Sequence, residues 1–272
     1  MLNKEELKNQ CLAECLGTAL AVFFGLACLA AIVAGGAEYG LWEISIVWGL
    51  GFTLAIYLTA GISGGHLNPA VTIALAIFAG FDRKKVAPYI GAQFVGAFIG
   101  SAICYFLYSD LIALYELSNE IVRGSPESLV TAGIFGTYAN AAISIPHAAA
   151  VEFFITGCLM VMIMALTDDS NGIAKGPLAP LLIGLAIAAL GATTAPLTGF
   201  AMNPARDFAP KVMAMMAGWG EVSLTGARSI PYFIVPFIAP VLGAISGAAL
   251  YRKCITAALH PQVKVRATTS AS

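Results

Sequence analysis

Two ten-residue segments of this chain share one residue pattern, and they constrain the fold more than any other feature. Residues 63–72 read Ser-Gly-Gly-His-Leu-Asn-Pro-Ala-Val-Thr, and residues 198–207 read Thr-Gly-Phe-Ala-Met-Asn-Pro-Ala-Arg-Asp. Asn203 follows Asn68 by 135 residues, which is close to half of the 272-residue chain. A segment repeated at this spacing predicts two related halves, each built around one copy.

The composition places both segments in a membrane protein. Hydrophobic residues make up 59% of the chain and charged residues only 11%, whereas a soluble domain carries about a quarter charged residues. Crossing a ~30 Å hydrocarbon core takes about 20 apolar residues as a helix, and six runs are long enough. They lie at roughly 11–34, 42–62, 86–108, 147–166, 178–195 and 231–251. The net charge of −1 argues against a nucleic-acid partner.

Each repeated segment leads into a shorter apolar run, at 69–79 and at 204–217. At ~1.5 Å per residue, such a run covers only about half of the membrane as a helix. Asn is a favoured helix N-cap and proline suits the first helical turn, so Asn68 and Asn203 are predicted helix starts. The expected fold class is therefore an all-α membrane protein with six transmembrane helices and two half-helices.

The basic residues predict the orientation, because the more basic side of a membrane protein faces the cytoplasm. With six spans, ten basic residues fall on one side and four on the other. The ten are Lys4, Lys8, Arg83, Lys84, Lys85, Lys175, Arg252, Lys253, Lys264 and Arg266, and the four are Arg123, Arg206, Lys211 and Arg228. Both termini are then cytoplasmic, and the half-helices enter from opposite faces. The halves are predicted to be inverted repeats, which place a site near the midplane.

The predicted organisation is one membrane domain over residues 1–272. Its repeats cover about 8–108 and 147–254, an outer loop at 109–146 joins them, and residues 255–272 form a cytoplasmic tail. A Gly-x-x-x-Gly pattern in the third span recurs in the sixth, for which close helix packing is the preferred interpretation. The pattern is at Gly96 and Gly100 and again at Gly243 and Gly247.

The N-terminal ends of the two half-helices are predicted to meet near the midplane. Each end then brings a partial positive charge of about 0.5. A cation meets a barrier at such a place, whereas a neutral polar solute does not. The side-chain amides of Asn68 and Asn203 can donate hydrogen bonds to a passing hydroxyl group. The alternative is that both residues are only helix caps, and their matched contexts favour the pore.

The non-helical residues before each asparagine form the second part of the predicted pore. Irregular backbone at membrane depth must be buried in protein or line a water-filled cavity. Their carbonyl groups are expected to form a ladder of acceptors. These residues are Gly64, Gly65, His66 and Leu67 in the first half, and Gly199, Ala201 and Met202 in the second.

Two acidic residues, Glu14 and Glu152, lie inside the first and fourth spans, each four residues before a threonine. Ionisable groups within a membrane span are costly and usually functional. Either they relay protons, as in an ion-coupled transporter, or each carboxylate accepts hydrogen bonds from the loop of its own half. Their repeat symmetry favours loop support, since a relay rarely needs two symmetric copies.

Arg206 falls about one turn into the second half-helix, where an arginine costs ~2.5–3.5 kcal/mol on insertion scales. We therefore expect it to face a polar cavity, where its five donors suit hydroxyl oxygens and its charge repels cations. Trp48 and Phe200 are expected to form an aromatic wall opposite it. The alternatives are a snorkelling arginine and aromatic residues of the membrane interface. Asp207 is considered as a local partner of Arg206 and is assigned, with Glu14 and Glu152, to loop support.

The remaining polar residues indicate neither a cofactor nor a metal. The six cysteines include no Cys-x-x-Cys pair, so they are interpreted as small apolar residues. The three histidines, His66, His147 and His260, are scattered and show no metal-ligand spacing. A membrane enzyme is therefore the least favoured class of function. His66 is interpreted as a wall or support residue of the first loop.

With both Asn-Pro-Ala boxes intact, the chain resembles the major intrinsic protein family from about Gln10 to Lys253. The boxes are Asn68-Pro69-Ala70 and Asn203-Pro204-Ala205. Within the family it is similar to the bacterial aquaglyceroporins. Trp48, Phe200 and Arg206 match the selectivity corner of that branch. Asp207 stands where water-only channels usually have a small residue, and Gly191 where they typically place a histidine.

The resemblance implies a passive channel for glycerol, other small neutral polyols and some water, which excludes ions and protons. A strict water channel of the same fold is the alternative. The residues that argue against it are Gly191, Phe200 and Asp207. The resemblance also implies a homotetramer in the lipid bilayer of the inner membrane, with one pore per subunit. Glu43 would then lie near the fourfold axis, where ion binding is a hypothesis. The one departure noted is Gly65, where such channels often carry alanine.

Overall fold

The computed structural model describes residues 3–171 and 176–259, and these ranges contain helices and no strand. In chain order the helices are α1 (Lys4–Val33), α2 (Leu41–Ser63), α3 (Pro69–Phe78), α4 (Arg83–Ser118), α5 (Leu129–Ala132), α6 (Ile145–Thr167), α7 (Ala179–Thr198), α8 (Pro204–Ala214), α9 (Val222–Thr225), α10 (Ile234–Leu250) and α11 (Ala257–Leu259). Six helical stretches of the described chain, built on α1, α2, α4, α6, α7 and α10, are long and apolar enough to cross a membrane. The predicted all-α fold class with six spans is confirmed.

The half-helices α3 and α8 begin where the sequence predicts, at Pro69 and Pro204. The asparagine before each proline is the N-cap. Its side-chain oxygen accepts a hydrogen bond from the backbone N–H two residues on, at 2.9 Å in α3 and 3.0 Å in α8. The second half-helix ends sooner than the predicted residue 217, because a π-helical turn (Met215–Trp219) follows Ala214.

The repeated glycines bring helices of the same half into backbone contact. A Cβ atom added at any of them would collide with a carbonyl oxygen of the neighbouring helix. The colliding pairs are Gly96 with Cys15, Gly100 with Ala19, Gly243 with Phe153 and Gly247 with Gly157. Helix α4 thus packs closely on α1, and α10 packs in the same way on α6. The preferred packing interpretation of both Gly-x-x-x-Gly patterns is confirmed.

The two halves interlock through their half-helices. Helix α3 of the first half packs against α10 of the second, and α8 of the second packs against α4 of the first. The two half-helices also touch each other. Because each half-helix is surrounded by both halves, its polar N-terminal end is kept inside protein, as irregular backbone at membrane depth requires.

The predicted boundary of the outer loop at residue 109 is wrong, because α4 continues to Ser118. Ser109 and Asp110 resemble the end of a span, but leucines and alanine after them favour helix. Ile112 is fully buried, and the Glu116 carboxylate accepts a hydrogen bond from Arg123 Nε at 2.8 Å. Residues 119–144, which include α5, are hereafter the connecting loop.

The end of the chain is helical further than expected. A π-helical segment (Tyr251–Thr256) and α11 carry the chain to Leu259, five residues into the predicted tail. The rest of that tail, from residue 260 on, lies outside the described residues. So do Lys175, His260, Lys264 and Arg266.

A candidate pore between the half-helices

Most of the predicted pore residues line one cavity of about 370 Å³. Those that line it are Trp48, Gly64, Gly65, His66, Asn68, Phe200, Ala201, Met202, Asn203 and Arg206. The predicted pore residues that are not among the described lining residues are Leu67, Gly191 and Gly199, together with Pro69, Ala70, Pro204 and Ala205 of the two boxes. The acidic residues Glu14, Glu152 and Asp207 do not line it either. Both loops and the aromatic–arginine corner (Trp48, Phe200 and Arg206) therefore line the cavity, and the acidic residues lie behind them.

An apolar wall, which the sequence reasoning missed, completes the cavity. Three spanning helices each contribute two large apolar residues, four positions apart. The pairs are Phe52 and Ile56 of α2, Leu159 and Ile163 of α6, and Ile183 and Ile187 of α7. Residues four apart share one helix face. This spacing was visible in the sequence, but lipid-facing pairs follow it equally well.

The two asparagines bind the opposite loops to each other. Asn68 Nδ2 donates a hydrogen bond to the carbonyl of Met202 at 2.9 Å, and Asn203 Nδ2 donates to the carbonyl of Leu67 at 2.8 Å. These reciprocal bonds hold the N-terminal ends of α3 and α8 together. Each side-chain amide has a second N–H, which is the one available to a solute in the cavity.

Glu14 and Glu152 are fully buried and accept hydrogen bonds from the loop of their own half. Glu14 receives the Ser63 hydroxyl at 2.6 Å and the backbone N–H groups of His66 and Leu67 at 2.9 and 2.7 Å. Glu152 receives the repeat-related donors, which are the Thr198 hydroxyl at 2.6 Å and the N–H groups of Ala201 and Met202 at 3.0 and 2.9 Å. An ionised carboxylate accepts hydrogen bonds and donates none, so it suits a place where several donors converge.

These bonds hold both loops in left-handed backbone conformations. Leu67 and Met202 each have φ of 51°, and Phe200 has φ of 45°. Such a conformation costs a residue with a side chain about 1–3 kcal/mol. Gly65, the repeat-related partner of Phe200, has φ of 63° and avoids that cost because it lacks a Cβ atom. The carboxylates therefore stabilise backbone that the loop sequence alone does not favour.

At the aromatic–arginine corner the guanidinium lies directly on the indole. The Arg206 Cζ atom is 3.9 Å from the centroid of the Trp48 ring, and the Phe200 ring meets Trp48 edge-on at 6.5 Å. The three predicted residues of the corner therefore lie together, but Trp48 lies against Arg206 and not opposite it. Within the described chain, Arg206 Nη1 is buried and has no hydrogen-bond partner. Because Arg206 lines the cavity, its guanidinium is the donor group there that a hydroxyl group can meet.

Asp207 does not pair with Arg206, so that predicted partnership is wrong. Its carboxylate accepts the backbone N–H and the hydroxyl of Thr137 at 2.7 and 2.8 Å, and the Lys211 ammonium at 2.6 Å. Adjacent residues of a helix point in different directions, whereas residues four apart lie on one face. Asp207 therefore faces the connecting loop, while Arg206 faces the cavity.

Gly191 acts through its neighbour rather than by lining the cavity. A Cβ atom at Gly191 would lie 2.8 Å from Cε2 of Phe200 and 2.9 Å from Oγ of Ser45. These separations are shorter than ordinary contact distances, so any side chain here would displace the Phe200 ring. The glycine in α7 thus makes the space into which the ring of Phe200 packs.

Gly191→Ala is expected to lower glycerol permeability about tenfold and water permeability much less, because the displaced ring narrows the corner by roughly one methyl group. Swelling rates of proteoliposomes in glycerol and shrinkage rates in sucrose give the two values. Gly61→Ala is the matched control, since a Cβ atom at this glycine of α2 meets none of the described residues within 4 Å. Equal losses for both solutes, or none, would contradict this assignment.

Comparisons with known proteins agree with this architecture. The family model described as "Major intrinsic protein" matches residues 1–251. The propanediol uptake facilitator PduF of Citrobacter freundii is 62% identical over 92% of this chain and 93% of its own length. The glycerol uptake facilitator protein of Escherichia coli K12 is 59% identical over 94% and 91%. The solved structure of the aquaglyceroporin from Plasmodium falciparum matches with a TM-score of 0.80 and 30% identity, covering 93% of this chain and 98% of that one.

Proposed function

This chain belongs to the major intrinsic protein family, and we propose that it is a passive channel for glycerol and other small neutral polyols. The supporting observation is the two-sided character of the cavity. Large apolar residues of α2, α6 and α7 form one side, and Asn68, Asn203 and Arg206 supply donors on the other. A polyol has a carbon backbone and hydroxyl groups that match these two sides. Relatives named as glycerol and propanediol uptake facilitators support the same solute class.

In this proposal a polyol passes the aromatic–arginine corner in single file. Its CH groups contact Phe200 and the apolar wall, and its hydroxyl groups accept hydrogen bonds from the Arg206 guanidinium and then from the two asparagine amides. A buried donor without a partner costs about 1–3 kcal/mol, so a hydroxyl group that satisfies it is bound favourably. Because these donors follow one another along the cavity, no single site holds the solute tightly. No bond of the solute is made or broken.

Ions and protons are excluded by charge and by dehydration. The guanidinium of Arg206 and the N-terminal ends of α3 and α8 are all positive, so a cation meets repulsion at the corner and again at the asparagines. The apolar wall cannot replace the water shell of an ion of either sign. A polyol loses fewer hydrogen bonds on entry, and the donors of the polar side replace them.

The remaining features of the proposal concern the membrane setting. We place the protein in the inner membrane with both termini in the cytoplasm, as a homotetramer with one pore per subunit and the two repeats within one domain. Many large apolar side chains on the outside of the helices support contacts with lipid or with other subunits; Leu54, Leu58 and Phe106, for example, are more than half exposed. The Glu43 carboxylate accepts the Gly40 N–H at 2.9 Å, so it serves at least as a helix cap.

Passive conduction is tested by uptake of radiolabelled glycerol into proteoliposomes. Uptake is expected to follow the glycerol gradient at the same rate at acidic and alkaline pH, and with or without an imposed membrane potential. An ion-coupled transporter that uses Glu14 or Glu152 would respond to one of the two. Accumulation of glycerol above its external concentration under a proton gradient would overturn the proposal. Protein-free liposomes give the background rate.

A further inference from the structure

A buried cluster behind the pore joins the connecting loop to the second half-helix. It consists of Thr137, Asp207 and Lys211, and we call it the clasp. Both oxygens of the Asp207 carboxylate are used, Oδ1 by the N–H and hydroxyl of Thr137 and Oδ2 by the Lys211 ammonium. Asp207 and Lys211 are fully buried, and Thr137 is nearly so. None of the three lines the cavity, so the path of the solute does not explain them.

Lys211 is enclosed by the connecting loop and by the segment before α10. Its ammonium lies 4.7 Å from the centroid of the Tyr138 ring and 5.0 Å from that of Tyr232, and its stem packs against the backbone at Gly136. A buried charge pair costs desolvation free energy and persists only where further contacts compensate for it. The two tyrosine rings and the two Thr137 donors are those contacts. The clasp therefore depends on the loop being docked.

Thr137 connects the connecting loop to the aromatic–arginine corner by its contact with Gly199. A Cβ atom at Gly199 would lie 3.0 Å from Cβ and 3.1 Å from Cγ2 of Thr137, so the two residues pack tightly. Gly199 ends α7 with φ of 77° and immediately precedes Phe200. The Asn140 N–H donates to the carbonyl of Leu197 at 2.9 Å, which adds a second contact between the loop and the end of α7. Thr137 is thus wedged between Asp207 and the residue that precedes the Phe200 ring.

The repeat is asymmetric at this cluster. Thr72 of α3 is 135 residues before Asp207 and takes its place in the first half. The Thr72 hydroxyl accepts a hydrogen bond from Gln93 Nε2 at 2.9 Å and donates to the carbonyl of Asn68 at 3.0 Å. The same Gln93 Nε2 also donates to the Glu14 carboxylate at 2.8 Å, and the Thr72 hydroxyl lies 3.2 Å from His66 Nδ1. These contacts stay within the first half and involve no lysine. The carboxylate and its lysine occur only in the half that carries Arg206 and Phe200, which links the clasp to the corner rather than to the shared fold.

We propose that Thr137 is a positioning residue for selectivity. Held by Asp207 and pressed against Gly199, it fixes the backbone that carries Phe200, and so the connecting loop sets the width of the corner from outside the pore. This inference rests on the proposed polyol channel. It assigns a function to a loop residue that touches no solute.

The test compares the permeability of ribitol, a five-carbon polyol, with that of glycerol in proteoliposomes of Thr137→Ala. A loosened corner is expected to raise the ribitol-to-glycerol ratio about threefold or more, since a gain of methyl-sized space alters discrimination by at least this much. Thr137→Ser, which keeps both bonds to Asp207, is expected to return the ratio to near that of the wild type. Ser128→Ala is the matched control, because this buried hydroxyl of the same loop accepts from the Gly124 N–H and donates to the Ser125 carbonyl, and bonds to no other described residue.

An unchanged ratio in folded Thr137→Ala would overturn the inference. If Thr137→Ala does not reach the membrane, Thr137→Val keeps the shape and removes only the hydroxyl bond, and an unchanged ratio there is equally contradictory. If the wild-type protein passes water but neither polyol, the proposed function is contradicted rather than this inference. In that case the same variants are compared by the ratio of urea permeability to water permeability, which also depends on the width of the corner. A rise of this ratio in Thr137→Ala alone would still support the positioning role.

Discussion

Glu152→Ala is expected to abolish polyol conduction and to lower the free energy of unfolding by at least about 3 kcal/mol, because three buried donors lose an acceptor worth ~1–3 kcal/mol each. These donors are the Thr198 hydroxyl and the N–H groups of Ala201 and Met202. Without these bonds, the left-handed backbone of the second loop keeps the Asn68–Met202 hydrogen bond and the contact of Gly199 with Thr137, but loses the acceptor that its own N–H groups share. Thermal unfolding in detergent and glycerol-driven swelling of proteoliposomes, normalised to protein content, measure the two effects.

Two variants make this result interpretable. Glu14→Ala removes the repeat-related acceptor, so it should produce a loss of similar size through the first loop. Glu152→Gln keeps one acceptor oxygen but turns an N–H₂ group toward N–H donors, so it should fall between alanine and wild type. Undiminished swelling with Glu152→Ala would show that the loop holds its shape without the carboxylate and would remove loop support as the role of Glu152.

Arg206→Ala is expected to raise the cation or proton leak at least about tenfold, because a unit charge at a few ångströms from the path contributes about 2–4 kcal/mol to the barrier at an effective dielectric constant near 20. Arg206 is 97% buried and lies on the Trp48 ring, so its charge is poorly screened by water. Conductance across planar bilayers, or the decay of a pH gradient in proteoliposomes, measures the leak.

Arg206→Lys is the control that separates charge from shape. Lysine keeps the positive charge but loses the planar group that stacks on the indole. The ion barrier is therefore expected to persist in this variant, while glycerol permeability changes because the donor at the corner is displaced. A background leak in Arg206→Ala would place the ion barrier at the N-terminal ends of α3 and α8 instead.

Local signals in the sequence were enough to predict the frame of the pore. The Asn-Pro pairs define where α3 and α8 start, because capping and the fixed φ of proline act within a few residues. The six spans follow from length and apolarity alone. The boundary at residue 109 was wrong for a related reason, since two polar residues inside α4 look like the end of a span when the burial of Ile112 is unknown.

The contacts that shape the corner could not be predicted, because they are tertiary. The pairing of Asp207 with Lys211 follows the i, i+4 spacing of a helix and was visible in the sequence. Asp207 was instead paired with Arg206, because the two residues are adjacent. The contribution of Thr137 had no such signal. It lies 70 residues before Asp207, and only the docked connecting loop brings the two together. The stacking of Arg206 on Trp48 likewise depends on which rotamer the packed corner permits.

The most direct test of the polyol channel is stopped-flow light scattering on proteoliposomes, first under a glycerol gradient and then under a sucrose gradient. The proposed function predicts rapid shrinkage in both, followed in glycerol alone by re-swelling much faster than in protein-free liposomes. Rapid shrinkage in sucrose with re-swelling in glycerol no faster than the lipid background would contradict it. That result would identify a strict water channel and would mean that Gly191 and Phe200 do not open the corner to polyols.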